Sequence, residues 1–161
     1  MLQNMIRAAR LDTGFYNTIE HDSSYTGQAA GVVVVVAVLA SIGTWLGPGD
    51  QQLVSLAAGT VVASLVGWVI WAAITFFVGT RIFGGTADVP EMLRVLGFAQ
   101  SPAALAVVPV IGGLVGGIWA LIAAVVAIRE GLDFTTGKAI GTVIVGWIVL
   151  VVIMAIVAAI F

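Results

Sequence analysis

Cysteine is absent from the 161-residue chain, which excludes disulfides and thiolate metal sites. Histidine occurs once, as His21, flanked by Glu20 and Asp22. One imidazole between two sequence-adjacent carboxylates lacks the convergent geometry of a metal or acid-base site, so this triplet reads as solvated surface. Charge is scarce too: charged residues make up 9% of the chain, against about 25% in ordinary soluble domains. Six Lys and Arg with eight Asp and Glu cannot coat a soluble domain of this size. The formal net charge of −2 provides no basic footprint for DNA or RNA, so nucleic acid is not an expected partner. The first 27 residues lack the basic stretch, short apolar run and cleavage site of a secretory signal, and targeting is expected to come from the first membrane span.

What the chain has instead is apolar mass, 61% of its residues, gathered into uncharged stretches of about the length that crosses a bilayer. Five such stretches can be traced. The first runs from about Ala29 to Leu46 and includes the β-branched run Val32 to Val36. In lipid every backbone group must be satisfied within its own segment, so a helix is expected there despite strand propensity. Gly47-Pro48-Gly49-Asp50 supplies turn chemistry before a second stretch from about Leu53 to Val78. Trp45, Trp68 and Trp71 are expected to anchor membrane interfaces. The third stretch, about Val95 to Ile111, is interrupted by Gln100, Ser101, Pro102 and Pro109. Gly112-Gly113 is expected to separate it from a fourth stretch ending near Ile128, and a fifth runs from about Ala139 to Phe161. The predicted architecture is all-α: a polytopic membrane bundle of about five transmembrane helices over residues 28–161, preceded by an N-terminal segment over residues 1–27 carrying a short amphipathic helix.

Basic residues fall on one side of this arrangement. Arg7 and Arg10 precede the first stretch, Arg81 and Arg94 lie between the second and third, and Arg129 and Lys138 lie between the fourth and fifth. Lys and Arg in short loops stay cytoplasmic, which predicts a cytoplasmic N-terminus and an outside C-terminus. A re-entrant hairpin formed by the third and fourth stretches would leave the same charge pattern, so the charges do not separate these two layouts.

No catalytic constellation emerges. The five apolar stretches contain no ionisable side chain, whereas proton relays and ion-coupled pumps place such groups at membrane depth. Ser and Thr residues there have no His or Lys base beside them. No catalytic residue, cofactor or metal site is expected. Four-residue glycine spacing at Gly27/Gly31, Gly112/Gly116, Gly113/Gly117 and Gly137/Gly141 offers flat faces for helix packing, within the bundle or against a second copy. The N-terminal segment places Leu2, Met5, Ile6 and Ala9 on one helical face, with Arg7 and Arg10 elsewhere, a pattern suited to an anionic membrane surface. Gly14 is expected to end that helix, and Phe15, Tyr16 and Ile19 to form a second short amphipathic turn. In the polar connection from Thr80 to Arg94, Asp88 with Glu91 three residues later forms a helix start. That connection is the largest cytoplasmic surface beyond the N-terminus and a candidate docking site.

The segment Asp88-Val-Pro-Glu-Met-Leu-Arg-Val-Leu-Gly-Phe-Ala-Gln-Ser-Pro102 resembles the lead into the third span of Yip-domain membrane proteins. Phe15-Tyr-Asn-Thr-Ile-Glu-His-Asp22 resembles the polar lead-in to the family's first span. Trp119 to Glu130, followed by Leu132-Asp-Phe-Thr-Thr-Gly-Lys-Ala139, resembles its fourth span and the loop into the fifth. Gly97-Phe98 with Pro102 matches the spacing of the eukaryotic members' Gly-Tyr…Pro signature, with Phe in place of Tyr. The resemblance implies five spans with a cytoplasmic N-terminus and a far-side C-terminus. Eukaryotic relatives bind prenylated Rab GTPases and act in membrane traffic. Their Asp-Leu-Tyr motif is missing here, as is a long cytosolic N-terminal domain, so small-GTPase binding is not expected and a prokaryotic member in the cytoplasmic membrane is.

Two functional expectations follow. The first is a non-enzymatic scaffold or organiser in contact with the lipid bilayer and with other membrane proteins or a second copy. Its expected contacts are Asp88, Glu91, Arg94, Gly97, Phe98, Gln100, Ser101, Pro102 and Pro109. The alternative is a small transporter or channel subunit with a polar pocket where Pro102 and Pro109 break the third stretch beside Gln100 and Ser101.

Overall fold

The computed structural model describes residues 1–47 and 53–160. The turn expected at Pro48-Gly49-Asp50 and the terminal Phe161 lie outside the described residues. Seven α-helices follow one another without a strand among the described residues: α1 (Leu2–Ala9), α2 (Thr13–His21), α3 (Thr26–Leu46), α4 (Leu53–Ile82), α5 (Val89–Ala99), α6 (Ile111–Gly131) and α7 (Thr136–Ile160). A 3-10 helix over Ser101–Val107 continues from α5.

Four helices, α3, α4, α6 and α7, are long and apolar enough to cross a membrane. The β-branched run Val32 to Val36 lies inside α3, as the need to satisfy the backbone internally requires. The third apolar stretch is built differently. Its α5 portion has 11 residues and its 3-10 portion has 7, which together extend about 30 Å if end to end. This composite runs antiparallel to α6 over nearly the full length of that helix. Gly131 at the end of α6 meets Val95, and Gly112 and Gly116 near its start meet Leu105 and Pro102. It runs parallel to α3, where Ala29 faces Gly97 and Gly43 faces Ala106. The composite thus lies alongside a 21-residue helix from end to end and, at about 30 Å, is long enough for one further passage.

Glycine permits this packing where the chain is irregular. Pro102 takes one N–H out of the backbone ladder, and 3-10 bonding replaces the α-helical pattern beyond it, Val108 N–H donating to Leu105 O at 2.9 Å. A Cβ at Gly43 or Gly112 would run into the carbonyl oxygen of Ala106 or Leu105. Only glycine lets α3 and α6 close over those carbonyls, bringing Cα–H groups toward them. Gly112-Gly113 therefore does not separate two stretches. Both residues belong to the first turn of α6, and the chain turns at Val108–Val110 instead. Gly113, Gly117, Gly27 and Gly137 have nothing within contact distance of a Cβ, whereas Gly31 faces Met1 and Gly141 faces the Phe83 ring.

The N-terminal residues form two helices joined by a tight reversal. Arg10 caps α1, Leu11 takes a left-handed conformation (φ 60°), and the N–H groups of Leu11 and Asp12 return to the carbonyls of Ala8 and Arg7. Asp12 then caps α2, its carboxylate accepting from Phe15 N at 3.0 Å while also pairing with Arg7 at 2.8 Å. Gly14 therefore lies within the first turn of α2 and does not end the preceding helix. The two helices pack on the bundle: Met5, Ala8, Phe15, Tyr16 and Ile19 are all buried. The Tyr16 hydroxyl donates to Ala8 O, and Trp119 Nε1 on α6 donates to Ala9 O. Leu2 and Ile6 remain exposed, so the apolar face of α1 is divided between protein and surroundings. Trp68, expected at an interface, is buried and donates through Nε1 to Leu93 O at 3.0 Å.

Candidate functional site

Polar chemistry gathers at one end of the bundle, where helices run past the apolar stretches into ionisable residues. Arg81 ends α4, Arg129 and Glu130 end α6, and Lys138 begins α7. Each element presents its side chains for a local reason. The start of α5 carries a complete capping box: Asp88 accepts from Glu91 N at 2.7 Å, and Glu91 accepts from Asp88 N at 2.7 Å. At the end of α6, Asp133 is left-handed (φ 53°), and the N–H groups of Asp133 and Phe134 bond to the carbonyls of Glu130 and Arg129. This is a Schellman turn with Asp at the position glycine usually takes, a conformation a short polar side chain tolerates. Thr86 joins the two, donating through its hydroxyl to Asp133 at 3.0 Å and through its N–H to Leu132 O.

Arg94 holds α2 to this end. It is buried at 5% exposure on α5, with Nε donating to Ile19 O at 2.8 Å and Nη2 to Glu20 O. Those carbonyls belong to the last turn of α2, where a helix has no N–H donors of its own to offer them and a cation is favoured. Phe98, one turn further along α5, meets the Phe15 ring edge-on at 5.2 Å and Tyr25 at 6.2 Å. Arg94 and Phe98 thus dock the N-terminal helices onto the bundle.

The docking creates a recess of about 390 Å³ bounded by Glu20, His21, Thr86, Asp88, Glu91 and Asp133, with Ala87 and Gly131 also lining it. Glu20 is the unusual member. It is 4% exposed, and its Oε1 has His21 Nδ1 at 3.1 Å and Asn17 Nδ2 at 3.4 Å. Its Oε2 is buried without any hydrogen-bond partner. Burial pushes this carboxyl up to about 7, an effect strengthened by the negative charges of Asp133, Glu91 and Glu130 and opposed by His21. The solvated reading of Glu20 is thereby corrected, because Glu20 follows Phe15, Tyr16 and Ile19 on the buried face of α2. His21 does face solvent, its side chain 72% exposed. Asp12 and Asp22 move the other way, held below the usual carboxylate range by hydrogen bonds from Arg7 and from Ser24 respectively.

The remaining residues singled out from sequence do not converge here. Gly97 packs against Ala29, Gln100 is half-buried, and Ser101 donates to Phe98 O at 2.6 Å. Pro102 is buried against Gly116, and Pro109 is half-buried near the turn into α6. The small cavity beside Pro102 is lined by Ala9, Ser101, Ala104, Leu105 and Trp119, and both side-chain donors at it are committed, Ser101 to Phe98 O and Trp119 to Ala9 O. Arg7 pairs with Asp12 and stacks on Phe15, and Arg10 is exposed. Among the described residues no group of three or more His, Asp or Glu is arranged to hold a metal ion. From sequence Glu20 reads as solvated surface and Asp133 carries no role, yet both line the recess. The helical spacing of Tyr16 and Glu20 signals the first. Nothing local signals the second, which meets Thr86 across 47 residues of chain.

An all-helical bundle with four helices of crossing length defines an integral membrane protein. The Yip1 domain family model matches residues 12–159, and the chain belongs to that family. The family is not a known enzyme family. Comparison with curated proteins and with solved structures gives no match.

Proposed function

We propose that this protein is a non-enzymatic organiser of the cytoplasmic membrane that holds a partner at the polar end of its bundle. The observation that carries this reading is the acidic recess assembled from α2, the start of α5 and the turn after α6. These elements contribute side chains that are polar, exposed or unpaired there, whereas the long helices expose apolar side chains such as Val62, Leu114, Trp147 and Ile148, suited to lipid. Lys and Arg placement supports a cytoplasmic position for the recess and the N-terminus and an outside position for the C-terminus. Leu2 and Ile6 face outward from α1 beside Arg7 and Arg10, which supports contact between this helix and an anionic membrane surface.

Photo-crosslinking in cells tests the docking reading, with a photoreactive residue placed at Thr86 or, as a lipid-facing control, at Ile148. Discrete protein adducts at Thr86, competed away by added purified protein and absent at Ile148, are the expected result. Lipid adducts alone at both positions would overturn it.

A further inference from the structure

We propose that the recess between Glu20, Asp88, Glu91 and Asp133 binds the ammonium group of a lysine side chain carried by a partner protein, with Glu20 Oε2 as its main acceptor. This rests on the reading of that end as a docking surface and names the chemistry it recognises. The cluster of carboxylates alone would not require a ligand. The decisive feature is Glu20, 96% buried by its 4% exposure, lining the recess with one oxygen that nothing in the chain satisfies. A buried acceptor left without a donor is costly, and binding a donor removes that cost.

The cations nearby are committed elsewhere. Arg94 directs Nε and Nη2 to the backbone of α2, Arg129 pairs with Glu130, and Lys138 donates to Phe83 O above the Phe134 ring. Charge complementarity then selects a cation from outside. A guanidinium prefers to bridge both oxygens of one carboxylate, but Oε1 of Glu20 already has His21 and Asn17 beside it. A single unpaired oxygen suits a compact ammonium, whose other donors can turn toward the rim carboxylates. Asp133 and Glu91 each spend only one oxygen, on Thr86 and on the Asp88 N–H. The volume of about 390 Å³ is of ligand-pocket size, and Ala87 and Gly131 provide apolar surface for the methylene stem.

A pH dependence follows. The titratable and charged groups around Glu20 are His21 on α2, Asp88 and Glu91 at the start of α5, Arg94 on α5 at the Glu20 carbonyl, Glu130 on α6 and Asp133 beyond it. With the recess empty, Glu20 holds a proton near neutrality, its carboxyl standing at about 7. The ammonium displaces that proton. Apparent affinity therefore scales with the ionised fraction of Glu20 and rises about tenfold from pH 6 to pH 8.

The test is calorimetric titration of the full chain in nanodiscs of zwitterionic phosphatidylcholine. The probe is an end-blocked nonapeptide of three Gly-Lys-Gly units, compared with its Nε-acetylated and arginine counterparts. The lysine peptide is expected to bind about tenfold tighter at pH 8 than at pH 6 and to release about half a proton per peptide bound at pH 7. Glu20→Gln, checked for folding by circular dichroism, should weaken binding at pH 8 at least about tenfold and abolish the pH dependence; Asp133→Asn should weaken it less. Equal binding by the acetylated peptide or by Glu20→Gln overturns the proposal, as does tighter binding of the arginine peptide or saturable binding of calcium chloride in its place. Should Thr86 crosslink a protein partner while the lysine peptide fails to bind, the lysine assignment falls and the docking surface stands.

Discussion

At the scale of single residues, Glu20 sets an unusual pH profile for stability. Its carboxyl is raised from 4.5 to about 7, so between those values the native state holds a proton that the unfolded chain gives up. Stability from this group is full below about pH 4.5 and is lost as pH rises through 7. Asp12 and Asp22, lowered by their hydrogen bonds, act oppositely: their stabilisation is present above the ordinary aspartate range and is lost in acid. Thermal unfolding followed by circular dichroism should therefore peak at mildly acidic pH. Glu20→Gln should remove the decline between pH 5 and 8 and raise the midpoint at pH 8 by a few degrees; an unchanged decline would show that the carboxyl is not held neutral. A second prediction contrasts two glycines of like chemistry. Gly43→Ala drives a Cβ into the Ala106 carbonyl and should destabilise by roughly 1–3 kcal/mol. Gly113→Ala meets open space in a helix and should be neutral or stabilising by up to about 1 kcal/mol. Denaturation in detergent micelles measures both. Spacing alone does not choose between the Gly112/Gly116 and Gly113/Gly117 pairs, because both are four apart on α6 and only the position of Leu105 and Pro102 distinguishes them.

Individual elements differ in how far their sequence discloses them. The start of α5 is legible because a capping box is local: Asp88 and Glu91 satisfy each other's backbone within four residues. Asp88→Ala should cost about 1 kcal/mol and raise amide exchange at residues 89–92, read by mass spectrometry. The run Val32 to Val36 is legible as helix only once lipid is taken as the solvent. The break in the third stretch could be read from Pro102 and Pro109, but not its consequence, since Gly43, which closes over the Ala106 carbonyl, comes from α3, far back along the chain. Docking of α2 escaped prediction for the same reason. Arg94 looks like a loop cation marking the cytoplasmic side, yet it is buried against carbonyls 74 and 75 residues away. Arg94→Met leaves those carbonyls without donors and should cost roughly 1–3 kcal/mol. It should also release α2, seen as faster amide exchange over residues 13–21 while α6 is unaffected.

For the whole molecule, the alignment of α5 and its 3-10 extension with α6 predicts five passages through the bilayer. With an impermeant thiol reagent on intact cells, Val110→Cys, at the turn between the third and fourth passages, should label from outside. Thr136→Cys, at the polar end, should label only after permeabilisation; the opposite pattern would invert the assigned orientation. The link between Arg94 and the last turn of α2 has a further consequence, for biosynthesis. The N-terminal helices leave the ribosome first, but the arginine that secures them is synthesised about 75 residues later, and Trp119, which bonds Ala9, later still. Helices α1 and α2, made before the residues that hold them, thus reach their native place late, and the acidic recess exists only in a protein whose insertion has proceeded past α6.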